Sequence, residues 1–428
     1  METLTLILFF SSCILLILSV LFFPSLKIGK VRLNTFYLIP LFFAILMICL
    51  GLVSLDDLKD SFLDNSSINP VQILLLFLSM TGLSVFLDEV GFFSFLAEWL
   101  AIRFDKNQKV LFFAFYVLIS LLTVFTSNDI IILTFTPFLI YFCSRNKIDP
   151  VPYLIMEFVS ANTFSMLFII GNPTNIYLSS AYKLDFLSYL KVMWLPTLSC
   201  SFTSFLLIFL MFHKKLGEPL HPSRELCPHL RKVPLIVGLV LLFTTTLLLA
   251  LSDFLNIEMY LVSLSAFFIL LLFCTFYSFH EKENYVLPLL KKLPYTLIPF
   301  VLSMFILVIG MKKTDFYSSM RSFLLGFDTT FSYGISSALI SNLINNIPMA
   351  VFYEGLLEGA TKKALYATII SSNLSAYLTP MGALAGIMFL NLCKSHGVEI
   401  DYPKFLRYSL PVGIPTLAVA LLVLRFLV

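Results

Sequence analysis

Ile170-Gly171-Asn172-Pro173-Thr174-Asn175 interrupts an apolar run that extends from Tyr153 to Leu178. Glycine relaxes the backbone, asparagine caps a new helix, and proline fits that helix's first turn because it has no N–H to lose. The stretch therefore reads as a helix that stops and restarts inside hydrocarbon. Thr379-Pro380-Met381-Gly382 repeats this logic within the run Ala364 to Leu392, with Thr379 as the cap. Two further runs, Lys109 to Cys143 and Thr330 to Gly355, are cut midway by Thr126-Ser127-Asn128-Asp129 and Ser341-Asn342-Leu343-Ile344-Asn345-Asn346. Each half of these is too short to cross comfortably, so both read as re-entrant hairpins. Asn128 or Asp129, and Asn345 or Asn346, would cap the returning helices.

The rest of the chain sets this punctuation in a bilayer. Of 428 residues, 59% are hydrophobic and only 12% charged, against about 25% charged in a soluble domain. A soluble enzyme is excluded, and 46 phenylalanines exclude a disordered chain. A net charge of +3 spread over short loops offers nucleic acid no basic surface. The seven cysteines are scattered without a CxxC and read as small core hydrophobes, and the five histidines fall in polar connections. No metal centre, Walker loop, GxSxG or GxGxxG is present, so neither an enzyme nor a cofactor is expected, apart from a coupling H⁺ or Na⁺. The N-terminal run to Phe23-Pro24 lacks a basic n-region and reads as a retained span.

The expected fold is an all-α polytopic membrane protein with about ten transmembrane helices and two re-entrant hairpins. The spans are Leu4 to Phe23, Phe36 to Val53, Val71 to Leu87, Tyr153 to Leu178, Trp194 to Phe212, Pro234 to Leu251, Met259 to Phe279, Thr296 to Met311, Ala364 to Leu392 and Tyr408 to Leu427. Lysines and arginines alternate with acidic loops, which points to an inner (cytoplasmic) membrane with both termini outside. The halves match in order, and five spans in each make the second copy inverted. The division is 1–216 (hairpin 109–145, broken helix 151–180), a cytoplasmic linker 217–233, and 234–428 (hairpin 328–358, broken helix 364–393). Matched interruptions in two halves point to a secondary transporter with its site at the midplane.

The candidate site is Thr126, Ser127, Asn128, Asp129, Asn162, Thr163, Gly171, Asn172, Thr174, Asn175, Ser341, Asn342, Asn345, Asn346, Thr379 and Gly382. Polar groups left unpaired in hydrocarbon cost several kcal/mol each, so their clustering at four helix breaks suits a binding cavity. Broken helix ends also aim N–H groups at anions and carbonyls at cations. Asp129 is the ionisable residue at a hairpin tip, and an intramembrane carboxyl there suits a proton carrier. Glu157 lies about one turn inside its span, within reach of the cytoplasmic interface.

At these motifs the sequence resembles the ArsB/NhaD branch of the ion transporter superfamily. The likeness is carried by Ser127-Asn128-Asp129 leading to Thr136-Pro137, Ala161-Asn162-Thr163 ahead of Gly171-Asn172-Pro173, Ser341-Asn342 to Pro348, and Leu378 to Ala385, from Asp88 onward. The resemblance implies an inverted repeat and ion-coupled transport, with arsenite and antimonite efflux typical of the ArsB permeases. Those permeases typically carry Asp where this chain has Asn162 and a Ser-Asn pair where it has Gly171-Asn172. The Gly-Asn-Pro form is closer to anion permeases of the group. Sodium/dicarboxylate symporters carry Ser-Asn-Thr at both tips, unlike Ser127-Asn128-Asp129 and Ser341-Asn342-Leu343. The reading is proton-coupled arsenite or antimonite efflux. The alternatives are an anion permease, a Na⁺/H⁺ antiporter and, from another class, a non-transporting membrane scaffold. The expected partners are a small inorganic solute and the lipid bilayer, with a homodimer left open and no nucleic acid.

Overall fold

Hydrocarbon offers no partner to a backbone N–H or C=O, so the apolar runs close their hydrogen bonds internally as helices. The computed structural model describes residues 1–23, 25–28, 31–63, 70–103, 107–219, 231–281 and 284–427. Among these, eight helices are long and apolar enough to cross a membrane: Glu2–Ser19, Pro70–Glu89, Gln108–Phe125, Phe186–Phe212, Lys232–Ala250, Met259–Glu281, Val286–Lys312 and Tyr402–Leu427. Seven correspond to expected spans. The other three expected spans are the 15-residue apolar helix Thr35–Cys49 and the two broken helices. The protein is an all-α polytopic membrane protein.

Three details differ from the expectation. Gln108–Phe125 has 18 residues, about 27 Å at 1.5 Å per residue, so the leading arm of the first hairpin is not too short to cross. Phe186–Phe212 begins two turns before Trp194 because Asp185 caps it, accepting from Ser188 N at 2.7 Å. A two-stranded antiparallel ribbon, Ser25–Ile28 with Val31–Asn34, follows the first helix. Arg224, Cys227, His221 and His229 of the expected linker lie outside the described residues, as do Lys30, Asp64, Lys106 and Lys282. Five cysteines are buried, as small core residues should be, whereas Cys49 is exposed.

Burial ranks the helices from the periphery inward. Only 33% of Lys232–Ala250 and 28% of Met259–Glu281 is covered by protein, so their apolar sides face lipid. Every residue from Val151 to Thr163 and from Ala364 to Tyr377 is buried. A helix covered on all sides lies at the centre of its bundle. The two helices at the centre are the two that break.

Candidate functional site: four helix breaks at the centre of the bundle

The first break separates Gln108–Phe125 from the returning arm Asn128–Arg145. Thr126 donates its hydroxyl back to Leu122 O (2.8 Å), and Ser127 caps the returning arm by accepting from Ile130 N (3.4 Å). The cap is therefore Ser127, not Asn128 or Asp129. Asn128 is already helical, and its Nδ2 is drawn to Asn162 Oδ1 (3.0 Å). Asp129 is half-buried in the first turn and carries no hydrogen bond or ion pair among the described residues.

The first broken helix stops at Phe164, makes a single tight turn at Ile169–Gly171 and restarts as Pro173–Ala181. Asn172 Oδ1 caps the restart, accepting from Thr174 N (3.1 Å) and from Thr174 Oγ1 (3.0 Å). A Cβ at Gly171 would stand 2.2 Å from Ser165 O, so only glycine lets the chain pass. The second broken helix runs Lys362–Leu378, turns at Pro380–Gly382 and restarts as Leu384–Ser395. Here a Cβ at Gly382 would stand 2.4 Å from Ser375 O. Thr379 caps the turn, accepting from Met381 N (3.2 Å), while the restart begins at Ala383 without a side-chain cap.

The two breaks are sewn together. Thr174 Oγ1 meets Ser372 Oγ (2.9 Å), Asn373 Nδ2 donates to Asn175 Oδ1 (2.7 Å), and Ser165 Oγ donates to Asn373 Oδ1 (2.8 Å). Thr163 shares a hydrogen bond with the hydroxyl of Tyr377, which also donates to Val159 O (2.5 Å). Asn175 Nδ2 is taken by Ser165 O (2.8 Å) and Phe168 O (3.2 Å). The amides of Asn175 and Asn373 at this crossing are thereby partnered.

The second hairpin tip is strained. Thr329–Ile344 ends at Asn345, which has φ 75 and ψ 157, a backbone region that is nearly glycine's alone. Asn345 stands at the cap position of Asn346–Leu356 but makes no side-chain cap, and neither does Asn346. Asn345 Nδ2 donates instead to Met381 O (3.2 Å), across to the second broken helix. Asn342 Oδ1 accepts from Thr379 Oγ1 (2.6 Å) on the same helix.

Several buried oxygens at these breaks face no partner among the described residues: Asn128 Oδ1, Asn345 Oδ1, Asn346 Oδ1, Ser341 Oγ and Ser371 Oγ. The amide orientations are fixed by a chain of donors and acceptors. Phe158 O takes Asn162 Nδ2 (2.8 Å), so Asn162 turns its oxygen to Asn128, which must answer with Nδ2 and leave Oδ1 free. Met381 O fixes Asn345 in the same way. A cleft of about 690 Å³, lined by Pro380, Met381, Asn391 and Lys394, reaches the second break from the turn at 397–404.

The structure thus joins Asn128 to Asn162, Thr174 to Ser372, Asn175 to Asn373, and Asn342 to Thr379. It leaves Thr126 and Ser127 bonded within their own arms, and it gives Gly171 and Gly382 a backbone role. Sequence reasoning passed over Ser165 and Tyr377. Neither has a counterpart at the matching position of the other half, where Ala376 and Met166 stand, so no spacing marked them. It also misplaced Glu157. This side chain is 0% exposed and accepts from Thr136 Oγ1 at 2.9 and 3.0 Å, so it does not reach the interface.

A family model described as citrate transporter matches residues 35–362, well over half of the chain, including both hairpins and the first broken helix. The chain belongs to the citrate transporter family. Relatives of similar length extend the likeness. A Bacillus subtilis (strain 168) protein described as a candidate arsenical pump membrane protein is 26% identical over 87% of this chain and 90% of its own length. An Escherichia coli arsenical pump membrane protein is 25% identical over 81% and 84%. Among solved structures, the Alcanivorax borkumensis YdaH transporter superposes with a TM-score of 0.56 at 13% identity, covering 99% of this chain and 98% of that one, which is a likeness of fold. This citrate transporter family member is an ion transporter of the membrane.

Proposed function

We propose that the chain is a proton-coupled exporter of a small neutral metalloid hydroxide, arsenite or antimonite, with Asp129 as proton carrier and the four breaks as its solute site. The observation that carries this reading is the set of buried, unpartnered acceptors Asn128 Oδ1, Asn345 Oδ1 and Asn346 Oδ1. Free acceptors await O–H donors, and a trivalent metalloid hydroxide presents three of them without charge. No lysine or arginine occurs within 111–144, 163–182, 330–350 or 364–393 to balance a multiply charged anion. The arsenical-pump names of the relatives point the same way. An anion permease is the second reading, favoured by the Asn172-capped helix start at Pro173, whose N–H groups attract negative charge.

The same reading makes the two halves inverted repeats, 1–216 and 234–428, in an inner membrane. Ion pairs support a consistent pair of faces. Lys215–Asp149 and Lys292 with Asp88 (3.1 Å) and Glu89 (2.5 Å) join loops expected inside, whereas Lys313–Asp57 (2.5 Å), Lys312–Glu354 and Arg425–Asp328 (3.3 Å) join segments expected outside.

Everted vesicles carrying the protein test the proposal when arsenite, phosphate, citrate and Na⁺ are offered under an imposed pH gradient. Arsenite should accumulate, and Asn128→Leu or Asn345→Leu should abolish this while the protein stays in the membrane. Accumulation of citrate or phosphate without arsenite would establish the anion reading instead.

A further inference from the structure

Glu157 is a buried carboxyl for which the transport scheme above has no use. It stands in Pro150–Phe164, the helix covered on all sides, and no solvent reaches it. Its one partner among the described residues is the hydroxyl of Thr136, a single O–H shared between both carboxyl oxygens. A carboxylate offers about four lone-pair sites, and a buried charge persists only when it is paired or amply hydrogen-bonded. One shared hydroxyl does neither, so the group this pocket can hold at rest is the neutral acid.

The neighbours supply no countercharge. The neighbouring residue Phe158 packs against Phe389 (4.9 Å) of Leu384–Ser395 and Phe405 (5.2 Å), and the buried Cys393 of that same helix carries no charge to offer. Of the other titratable side chains on the surrounding helices, Tyr116 bonds Ser201, Tyr377 bonds Val159 O and Cys200 bonds Thr416 O, while Asp129 stands two turns away at the tip of the returning arm. Their cations, Lys109, Arg145, Lys191, Lys362, Lys363, Lys394, Lys404 and Arg407, stand within about two turns of a helix end, and none forms an ion pair with Glu157.

The placement gives this acid a way to exchange. Asn128–Arg145 and Pro150–Phe164 run antiparallel and are tied at two levels, Asn128 to Asn162 at the tip and Thr136 to Glu157 lower down, about 12 Å along the returning arm and about 7.5 Å along the broken helix. Eight residues before Glu157, again about 12 Å, Asp149 pairs with Lys215 where the chain meets water. Movement of the hairpin tip away from the broken helix would loosen both ties and open Glu157 toward that face.

We propose that Glu157 is a second exchangeable proton site, protonated while the returning arm rests on the broken helix and deprotonated when the two part. The acid's O–H bond breaks, its electron pair stays on the carboxylate, and the proton passes to water on the Asp149–Lys215 face. This rests on the export reading and adds to it a hairpin tip that moves during each cycle.

Infrared spectroscopy of the purified chain in lipid nanodiscs tests it. Near neutral pH the wild type and Asp129→Asn should both show the C=O band of a protonated carboxyl, Glu157→Gln should weaken it, and Asp129→Asn combined with Glu157→Gln should lack it. In D₂O the band should shift as the proton exchanges, and Glu157→Asp should restore an exchanging band if Gln perturbs packing. Either a wild-type spectrum that Glu157→Gln leaves unchanged or a band that never shifts in D₂O would overturn the proposal. Failure of the export reading looks different: arsenite would stay put in wild-type vesicles while the Glu157 band still exchanged.

Discussion

The two hairpin tips solve one problem with opposite means. At the first, Ser127 caps the returning arm in relaxed backbone, and the arm brings Asp129 in its first turn and Thr136 against Glu157. At the second, Asn345 turns the chain at φ 75 and caps nothing, and its arm carries one acidic residue, Glu354, tied to Lys312 at the far end. Strain held at a helix break persists only where surrounding contacts impose it, and here Met381 O does so from the second broken helix. At the tips, the carboxyl thus stands in the first and the strained backbone in the second. On the proposed cycle, the first tip handles protons, and both tips hold free acceptors for the solute.

The comparison breaks most visibly at the glycines. Gly171→Ala and Gly382→Ala each drive a Cβ into a backbone carbonyl, and each should cost about 3 kcal/mol or keep the protein out of the membrane. Gly217→Ala, with nothing within 4 Å, should melt like the wild type in the same detergent scan. If one of the two central variants were also silent, the breaks would not be built alike.

The next effect concerns coupling. Asp129→Asn should abolish uphill accumulation at every imposed pH difference, because an amide keeps the shape but cannot titrate. Glu354→Gln, at the end of the other returning arm, should leave the gradient dependence intact. Equal loss in both variants would erase the asymmetry of charge.

Strain is a smaller quantity. Asn345→Gly should raise stability by about 1 kcal/mol by relieving the positive φ, yet it should lower arsenite transport by removing a free acceptor. Asn128→Gly removes the hydrogen bond to Asn162 from relaxed helical backbone and should instead lower stability by about 1 kcal/mol. Melting temperatures that moved in the same direction would contradict the contrast between the tips.

The smallest effect lies outside the spans. A hydrogen bond from Lys313, followed by those from Ser54, holds the Asp57 carboxyl down at about 2. Its contribution is complete above the unfolded value of 3.8 and is lost as pH falls toward 2, so Asp57→Asn should cost less than about 1 kcal/mol at neutral pH and nothing at pH 2. Melting followed against pH checks both limits.

The sequence by itself determined the class, the helices and the four places where they break. Apolar runs of bilayer length must be helical because lipid satisfies no backbone group, and Gly171-Asn172-Pro173 or Thr379-Pro380 inside such a run leaves few other conformations. It also marked which residues cluster there, since amides in hydrocarbon must find partners. Only the tertiary structure decided which amides are satisfied and which are open. Asn175 and Asn373 spend their groups on each other, whereas Asn128 and Asn345 keep an oxygen free, and that outcome depends on which carbonyl of another helix takes the NH₂. Ser127 rather than Asn128 became a cap for the same reason. Glu157 shows the limit most clearly. Counted along the chain, it lies one turn inside its apolar span and within reach of water, but the helix starts earlier, at Pro150, and the returning arm folds over it, and burial by distant segments leaves no mark in local sequence.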